Sequence, residues 1–499
     1  MNNPFNFSNF TRQSPKGIFV IYANLLFKGI KVTWFLLILI IKDFSKIKEL
    51  GATYFYLGLG AILLFLLIRA YLTYKNFQFK VENNHFILKS GVLKKTNTSI
   101  PFHRIQNINF KQNIIQQIIG VFEVSIETAG SSDTEIAIKA LSLSKAKALK
   151  EIISKKAEFG NESLTNDNSK PFVRIGFLEL FKVSLTENHL QNLFLFFAVL
   201  LGFYQQIEQI VDSLGKADSL DEFIEAKTNS VSTSFVFIFI LLITLIIIAF
   251  LSSFVRIFLV HFNLSAYLKE DSFEINQGLL TKKTIVLKKQ KVQNITISTN
   301  PFKKLVGISF ITFKQAVSGE INKKKNKLIR IVGCKKEQVA LIKKSLFSVD
   351  EIENSEKKFS NSYYKRRLLL LSFFIVTAIY VALYFILKEA TFLYSLILIV
   401  PLILFLIGKK VKKRFYKITD TMLLVSKGVF ETHLTYLEIF KVQNIKMKQT
   451  IFQERSNVAD LILQTAAGKI IIPSINLEDA IKIYNHTLYK VETSKTSWM

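Results

Sequence analysis

The sequence RIQNI at residues 104–108 recurs as KVQNI at residues 291–295 and again at residues 441–445. A glycine lies thirteen positions before the basic residue of each copy. Three equal spacings are typical of one module used three times in a chain. The positions that we take as the framework of this module are Gly91, Arg104, Gln106 and Asn107 in the first copy, Gly278, Lys291, Gln293 and Asn294 in the second, and Gly428, Lys441, Gln443 and Asn444 in the third.

Apolar segments separate the three repeats in this chain of 499 residues, half of which are hydrophobic. A helix needs ~20 mostly apolar residues to cross a bilayer core of about 30 Å. Four segments meet or nearly meet this requirement, at residues 53–74, 235–260, 368–387 and 391–407. Two weaker segments are either further crossings or buried core helices: residues 18–41, which contain Lys28 and Lys31, and the short segment 190–204. We predict six transmembrane helices, one pair before each repeat.

The net charge of +29 has two physical explanations, nucleic-acid binding and membrane topology. The location of the basic residues along the chain decides between these two explanations. Basic clusters at residues 365–367 and 409–414 adjoin apolar segments, whereas residues 205–232, between two such segments, are acidic. Cytoplasmic loops of membrane proteins carry an excess of Lys and Arg. With two crossings before each repeat, all three repeats and both termini are expected on the cytoplasmic side, and no nucleic-acid partner is expected.

Each repeat carries β-strand signals and closes with an amphipathic helix, which favours a small β-barrel or sandwich capped by a C-terminal helix. The glycine marks a turn between strands, where a positive φ is expected. The predicted organisation is an N-terminal segment with helices 1–2 (1–76), domain 1 (77–156), an interfacial segment with helices 3–4 and the acidic external loop (157–261), domain 2 (262–348), helices 5–6 (349–414), and domain 3 with a tail (415–499).

This combination resembles the bacterial pleckstrin-homology-like (PH-like) domains of the YdbS/YdbT type. The resemblance rests on the strand–glycine–strand opening, the Gln-Asn strand and the closing helix of each repeat, and on the alternation of three repeats with paired membrane helices. It covers nearly the whole chain. It implies PH-like barrels in a multi-pass protein of the bacterial inner membrane, and it implies no enzyme activity.

No constellation of residues predicts catalysis, a cofactor or a metal. Cys334 is the only cysteine, so neither a disulfide nor a cysteine-based metal site can form within one chain. The six histidines lack the spacing of metal ligands, and Glu123 and Glu127 have no counterparts in the other repeats. Phosphate-cradling glycine loops are also missing from the sequence. We therefore predict a protein that is not an enzyme.

The Gln-Asn pairs are the best candidates for a repeated role. Adjacent residues on a strand face opposite sides, so one side chain of each pair is expected inside the barrel and the other toward a partner. Two interpretations remain, side-chain hydrogen bonds within the module and a repeated ligand contact. The candidate contacts to anionic lipid head groups are Lys94, Lys95, Lys282, Lys283, Lys412, Lys413 and Arg414. At the positions that correspond to Lys94-Lys95 and Lys282-Lys283, repeat three has Glu431 and Thr432. This difference favours a general electrostatic attraction to the membrane over one specific head-group pocket used three times.

The function predicted from the sequence is a non-catalytic membrane scaffold. Its cytoplasmic repeats would bind the anionic inner leaflet, a partner protein or one another, and self-association between chains is left open. The alternative is a subunit of a transporter or channel. Few charges lie inside the apolar segments, and intramembrane charges usually mark ion or substrate paths, so the scaffold is favoured.

Overall fold

Three times along the chain, a long apolar helix leads into six β-strands. A computed structural model of the chain describes residues 5, 7–42, 52–128, 136–156, 170–187, 231–315, 329–347, 350–388 and 390–494. Repeat one contains strands β2–β7, repeat two β9–β14 and repeat three β16–β21, all defined below. The structure thus confirms three β-rich repeats that alternate with helical segments.

The elements within these ranges have the following bounds. The helices are α1 (Gly17–Lys42), α2 (Ala52–Lys75), α3 (Ile114–Ile119), α4 (Leu143–Lys156), α5 (Phe177–Leu185), α6 (Val231–His261), α7 (Pro301–Val306), α8 (Lys336–Leu346), α9 (Asp350–Asn354), α10 (Ser362–Leu387), α11 (Leu396–Lys412), α12 (Ile451–Glu454) and α13 (Leu477–Thr493). The strands are β1 (Thr11–Arg12), β2 (Gln78–Glu82), β3 (His85–Ser90), β4 (Thr96–Pro101), β5 (Ile105–Gln112), β6 (Phe122–Thr128), β7 (Ile136–Leu141), β8 (Val173–Arg174), β9 (Ser265–Leu268), β10 (Ser272–Gln277), β11 (Lys282–Lys288), β12 (Val292–Thr299), β13 (Ser309–Gln315), β14 (Ile329–Cys334), β15 (Lys358–Phe359), β16 (Phe415–Ile418), β17 (Met422–Gly428), β18 (Thr432–Glu438), β19 (Val442–Lys448), β20 (Val458–Thr465) and β21 (Gly468–Asn476).

Four helices in the described ranges are long and apolar enough to cross a membrane, at Thr53–Lys75, Ile243–His261, Ser362–Ile386 and Leu393–Lys412. Few of their side chains are buried by protein, as expected for helices whose solvent is lipid. The weaker segment at residues 18–41 forms helix α1, which packs against α2. The other weak segment, at residues 190–204, lies outside the described residues. The structure therefore supports four predicted membrane helices, and the number six remains a prediction.

Each repeat folds into two antiparallel sheets of three strands, with the C-terminal helix packed against their core. In repeat one these sheets are β2-β3-β4 and β5-β6-β7. Apolar side chains on one face of α4, including Ala146, Leu149 and Ile153, are buried in this core. Helix α13 buries Ala480 and Ile483 in the same way in repeat three. The periodicity of the closing helix thus places its apolar stripe over the sheets.

The glutamine of each repeated pattern occupies a β-bulge. In repeat two, Val292 pairs with Gln315 and Asn294 pairs with Lys314, so that Gln293 is an extra residue between two paired positions. The same shift occurs in the equivalent strands β5 and β19. A bulge breaks the alternation of side chains along a strand. The expected alternation does not hold at the bulge of β19, where Gln443 and Asn444 are both exposed between the buried Val442 and Ile445. In β12, Gln293 and Asn294 are both buried.

The sheets do not stop at the repeat boundaries, which the sequence did not predict. Strand β5 of repeat one pairs with β11 of repeat two, giving a seven-stranded sheet in the order β7-β6-β5-β11-β10-β9-β8. Strand β12 of repeat two pairs with β18 of repeat three in a second seven-stranded sheet, β14-β13-β12-β18-β17-β16-β15. The strand that carries the Gln-Asn pattern therefore joins each of the first two repeats to the next.

Segments that precede each repeat close the opposite edge of its first sheet. The two-residue strands β1, β8 and β15 pair with β2, β9 and β16, respectively. The same segments also reach the second sheet, because the amide of Ser14 donates to the carbonyl of Ala140 and the amide of Asn361 donates to the carbonyl of Ser474. Such covers satisfy backbone groups that an open edge would leave exposed.

The repeated glycines have φ angles of +107° at Gly91, +109° at Gly278 and +139° at Gly428, as the sequence predicted. A Cβ atom at Gly428 would lie 1.7 Å from the carbonyl oxygen of Glu431. Gly307 also has a positive φ, of +74°, but a Cβ there would meet nothing within 4 Å. Alanine substitutions at Gly428 and Gly307 therefore distinguish the free-energy cost of steric overlap from the cost of the left-handed backbone conformation.

We expect Gly428→Ala to destabilise repeat three by about 3 kcal/mol or more, because strain and overlap add. Gly307→Ala is the matched control and should cost about 1–2 kcal/mol, the penalty of a left-handed conformation alone. Thermal unfolding of the full chain in detergent micelles measures both. Equal losses for the two variants would contradict a steric role for the turn.

Candidate membrane interface and repeat junctions

Every repeat starts at the end of a membrane helix. Two or three residues separate α2 from β2, α6 from β9 and α11 from β16. In each connection a backbone amide just past the helix donates to a carbonyl of its last turn, for example Leu264 to His261 and Arg414 to Val411. Connections of this length leave a repeat little freedom to move away from the bilayer surface.

The glycine turn of a repeat is held beside the same helix end. In repeat two the amide of Leu279 donates to the carbonyl of Leu259 in α6, at 3.0 Å. In repeat three the Lys413 ammonium, which directly follows α11, donates to the carbonyl of Phe430 at 2.6 Å. These bonds place the glycine turn at the membrane-proximal end of the repeat.

Large apolar side chains are exposed at this end in all three repeats. One occupies the same position, two residues after the glycine, in every turn: Leu93, Leu280 and Phe430. Others project from the short helices that follow the Gln-Asn strands, namely Ile118 on α3, Phe302 and Leu305 on α7, and Ile451 and Phe452 on α12. Apolar side chains beside the end of a membrane helix are typical of segments that lie in the bilayer interface.

At each junction the short helix of one repeat touches the glycine turn of the next. The Gln117 amide nitrogen on α3 donates to the carbonyls of Leu279 and Leu280, at 3.2 and 3.1 Å. The Lys303 ammonium on α7 donates to the Glu431 carboxylate at 2.5 Å. The two junctions therefore bring together the same pair of elements, through different side chains.

The second junction contains a buried cation. Only 2% of the Lys303 side chain is exposed, and its ammonium lies 3.7 Å from the centre of the Phe310 ring as well as against Glu431. Beside it, burial lowers the pKa of His433, and this outweighs the opposing effect of the Glu431 charge. His433 is therefore neutral near pH 7, and its ring nitrogen lies 2.8 Å from the Ser298 hydroxyl of repeat two.

The basic residue of the third pattern crosses the same junction. The Lys441 ammonium donates to the carbonyl of Val292, at the start of β12, at 2.7 Å, and it also pairs with Glu438. Arg104, the equivalent residue of repeat one, is exposed. The basic residue of repeat three thus contacts the repeat before it.

The Gln-Asn pairs differ in exposure between repeats. Gln293 and Asn294 are buried, with 0% and 1% of their surfaces exposed, on the strand that repeat three covers. Gln443 and Asn444 occupy the same positions of β19 and are exposed. Gln106 and Asn107 lie on β5, but their side chains are outside the described part of the structure. Burial of the pair therefore follows the presence of a neighbouring repeat.

A cavity of about 430 Å³ opens between repeats one and two. Lys282 and Lys283, two of the predicted lipid contacts, line it together with Lys111. Phe262 and Asn263, which directly follow α6, form another part of its wall, so the cavity lies at the membrane-proximal end of the junction. Its size and its cationic lining suit an anionic head group.

The remaining predicted lipid contacts lie apart from this cavity. Lys94 and Lys95 are exposed at the turn of repeat one, and Lys412 is exposed at the end of α11. Lys413 bonds the glycine turn, and the Arg414 guanidinium donates to the carbonyl of Ile471 at 2.5 Å. Internal hydrogen bonds therefore occupy the last two residues, and the seven do not form one cluster.

No group of three His, Cys, Asp or Glu side chains that could hold a metal occurs in the ranges that the structure describes. Cys334 is buried in the core of repeat two, and burial raises the pKa of its thiol to about 12. A thiol in this state is unreactive near neutral pH.

Comparison with known proteins agrees with this architecture. The sequence profile of the "Bacterial PH domain" family matches residues 36–157, 214–348 and 370–491, together more than half of the chain. The chain therefore belongs to the bacterial PH domain family. Each matched range includes at least one membrane helix together with the strands that follow, so helix and strands form one repeating unit.

One curated relative is the UPF0699 transmembrane protein YdbT of Bacillus subtilis (strain 168). It is 23% identical to this chain over 308 residues, which cover 59% of this chain and 60% of the relative. The chain thus matches less than two thirds of the relative's length. The resemblance to the YdbS/YdbT type that the repeats suggested is confirmed.

The contacts of Lys303 lead to a test of the second junction. Glu431→Gln removes the carboxylate that neutralises a buried ammonium and should weaken the junction by about 2 kcal/mol. Hydrogen exchange of β18 should then accelerate, while that of β20, in the other sheet of repeat three, should not change.

Asp479→Asn provides the matched control, because its partner Lys358 is 45% exposed whereas Lys303 is 2% exposed. Exposed pairs contribute about 0–1 kcal/mol, so exchange should be nearly unchanged throughout this variant. If β18 exchanges no faster in the Glu431→Gln variant than in the control, the buried pair does not stabilise the junction.

Proposed function

We propose that this protein is a non-catalytic scaffold of the bacterial inner membrane. Six helices in three pairs hold three PH-like repeats on the cytoplasmic face, and both termini lie on that side. The supporting observation is that a membrane helix leads directly into each repeat and that an exposed apolar side chain lies at the glycine turn beside it. The membrane helix and the glycine turn together hold each repeat at the bilayer surface.

The distribution of charge supports the cytoplasmic orientation. The basic cluster at residues 365–367 lies in the first turns of α10, and the cluster at residues 409–414 ends α11 next to repeat three. Both are at helix ends on the side of the repeats, where the positive-inside rule places cations. The acidic segment at residues 205–232 belongs on the external side in this arrangement.

Anionic lipids of the inner leaflet are the ligands that this surface suits. Each Lys or Arg near an anionic leaflet contributes about 1 kcal/mol of attraction. The cavity between repeats one and two adds three lysines around a volume of about 430 Å³ beside the end of α6. A lipid head group there would bridge two repeats, and the apolar side chains at the turns would lie among the acyl chains.

A scaffold also needs surfaces for other proteins. The repeats pair with one another through β-strands within the chain, and this supports sheet edges as sites of backbone recognition. Strand addition gives affinity through main-chain hydrogen bonds, and the side chains along the edge give selectivity.

We expect the double variant Lys282→Gln/Lys283→Gln to retain less anionic lipid than the wild-type chain. Loss of two cations removes about 2 kcal/mol of attraction, which corresponds to a decrease of roughly tenfold or more in affinity at this site. The measurement is the ratio of anionic to zwitterionic lipid that co-purifies with the full chain during delipidation in detergent.

Lys336→Gln/Lys344→Gln is the matched control, because both lysines are exposed on α8, away from the cavity. It removes the same charge and should leave lipid retention unchanged. Equal losses in both variants would show that only net charge matters. Selective, saturable solute flux through proteoliposomes of the wild-type chain would replace the scaffold with a transporter.

A further inference from the structure

Both junctions between repeats use the same strand register. At the first junction, Gln112, Lys111 and Phe110 pair with Lys282, Lys283 and Thr284. At the second, Thr299, Ser298 and Ile297 pair with Thr432, His433 and Leu434. Counted from the glycine and from the basic residue of each pattern, these are the same positions. The junction is therefore a defined contact that the chain makes twice, independently of the side chains that differ between copies.

The chain also carries both halves of a third junction, and they do not meet. Within the described ranges, β4 of repeat one pairs only with β3, and β19 of repeat three pairs only with β20. Three of the six residues of β4 and five of the seven residues of β19 are exposed, whereas seven of the eight residues of β12 are buried. Their outer edges thus present backbone donors and acceptors that their counterparts in the two junctions have satisfied.

We propose that β19 of one copy of this chain pairs with β4 of a second copy, antiparallel and in the register of the two internal junctions. Lys446 then lies opposite Thr98, Met447 opposite Asn97 and Lys448 opposite Thr96. Because the two halves are different surfaces, the contact is head-to-tail, and it generates a ring if the rotation closes and an open row if it does not.

The side chains at the two edges are compatible with this pairing. No like charges lie directly opposite one another in the proposed register, whereas the first internal junction tolerates Lys111 opposite Lys283. Arg104 of the second copy takes the position from which Lys441 donates to the carbonyl of Val292 within one chain. The exposed Leu93 of the second copy meets helix α12 of the first, as Leu280 meets α3.

Membrane geometry favours the contact as well. Every repeat carries its membrane helix at the same place, so a third junction of the same geometry keeps both copies in one bilayer. Confinement to the bilayer raises the effective concentration of the two edges, which helps a small interface to form. The inference rests on the proposed scaffold and names its partner, a second copy of this chain.

Cysteine crosslinking between two differently tagged full-length variants tests the proposal. Lys446→Cys on one tag and Thr98→Cys on the other are mixed in liposomes and oxidised. Directly opposed residues of antiparallel strands have Cα atoms about 4.5–5.5 Å apart, within the range of a disulfide. We expect a product that joins the two tags. Native Cys334 adds no background, because it is buried and burial raises its pKa to about 12.

The matched control combines Lys446→Cys with Asn97→Cys, which shifts one cysteine by a single residue to the other face of the sheet. This pair should give little product, and Met447→Cys with Asn97→Cys should restore it. Products that join two chains with the same tag, or equal yields from matched and shifted pairs, would overturn the proposal. So would the absence of product from both matched pairs.

Charge reversal provides a second measurement that does not depend on oxidation. Thr98→Lys places a cation opposite Lys446. At the first junction Glu123 pairs with Lys111 and offsets the facing lysines, whereas Lys446 lies beside Ile462 on β20. The variant should therefore reduce energy transfer between labelled copies in liposomes several-fold, and adding Lys446→Glu should restore it. Failure of the rescue would also count against the register. If both measurements fail while the lysines of the cavity still determine lipid retention, self-association is wrong and the scaffold itself stands.

Discussion

Backbone pairing between repeats is the interaction on which the rest of this structure depends. A strand with an open edge leaves a row of amides and carbonyls without partners, and the chain satisfies them at β12 by placing β18 of the next repeat there. The buried Lys303–Glu431 pair, the crossing Lys441 ammonium and the burial of the Gln-Asn pair in repeat two all follow from that pairing. The bulge at Gln293 lies at the start of β12, the strand that β18 of repeat three covers.

The membrane adds the second constraint. Each repeat is tied by two or three residues to a helix end, so the way in which the repeats join also determines how these helix ends lie relative to one another. Strand pairing in the same register at both junctions relates successive repeats, and with them their helix ends, by similar operations. Sheet continuity and membrane attachment thus support each other, and the exposed apolar turns lie where the two meet.

Local features were predictable from the sequence, and pairings between distant strands were not. A glycine at a position that needs positive φ, an apolar helix of membrane-spanning length and an amphipathic closing helix each follow from residues close together in the chain. The bulge at Gln293 depends on the register of β12 against β13, where Val292 pairs with Gln315. The pairing of β12 with β18 joins residues much further apart, such as Ser298 and His433, which are separated by 135 positions. Gln293 and Gln443 lie in the same five-residue sequence, KVQNI, but have opposite exposure, so the repeated pattern alone could not distinguish them.

The Gln-Asn strand is a connector between repeats, covered in repeat two and open in repeat three. Hydrogen exchange of the full chain, in detergent and dilute enough to be monomeric, tests it most directly. The amides of residues 294–299 in β12 should all be protected, because β13 and β18 flank this stretch. In β19, which β20 flanks on one side, protected and rapidly exchanging amides should alternate. The same alternation in β12 as in β19 would contradict the account.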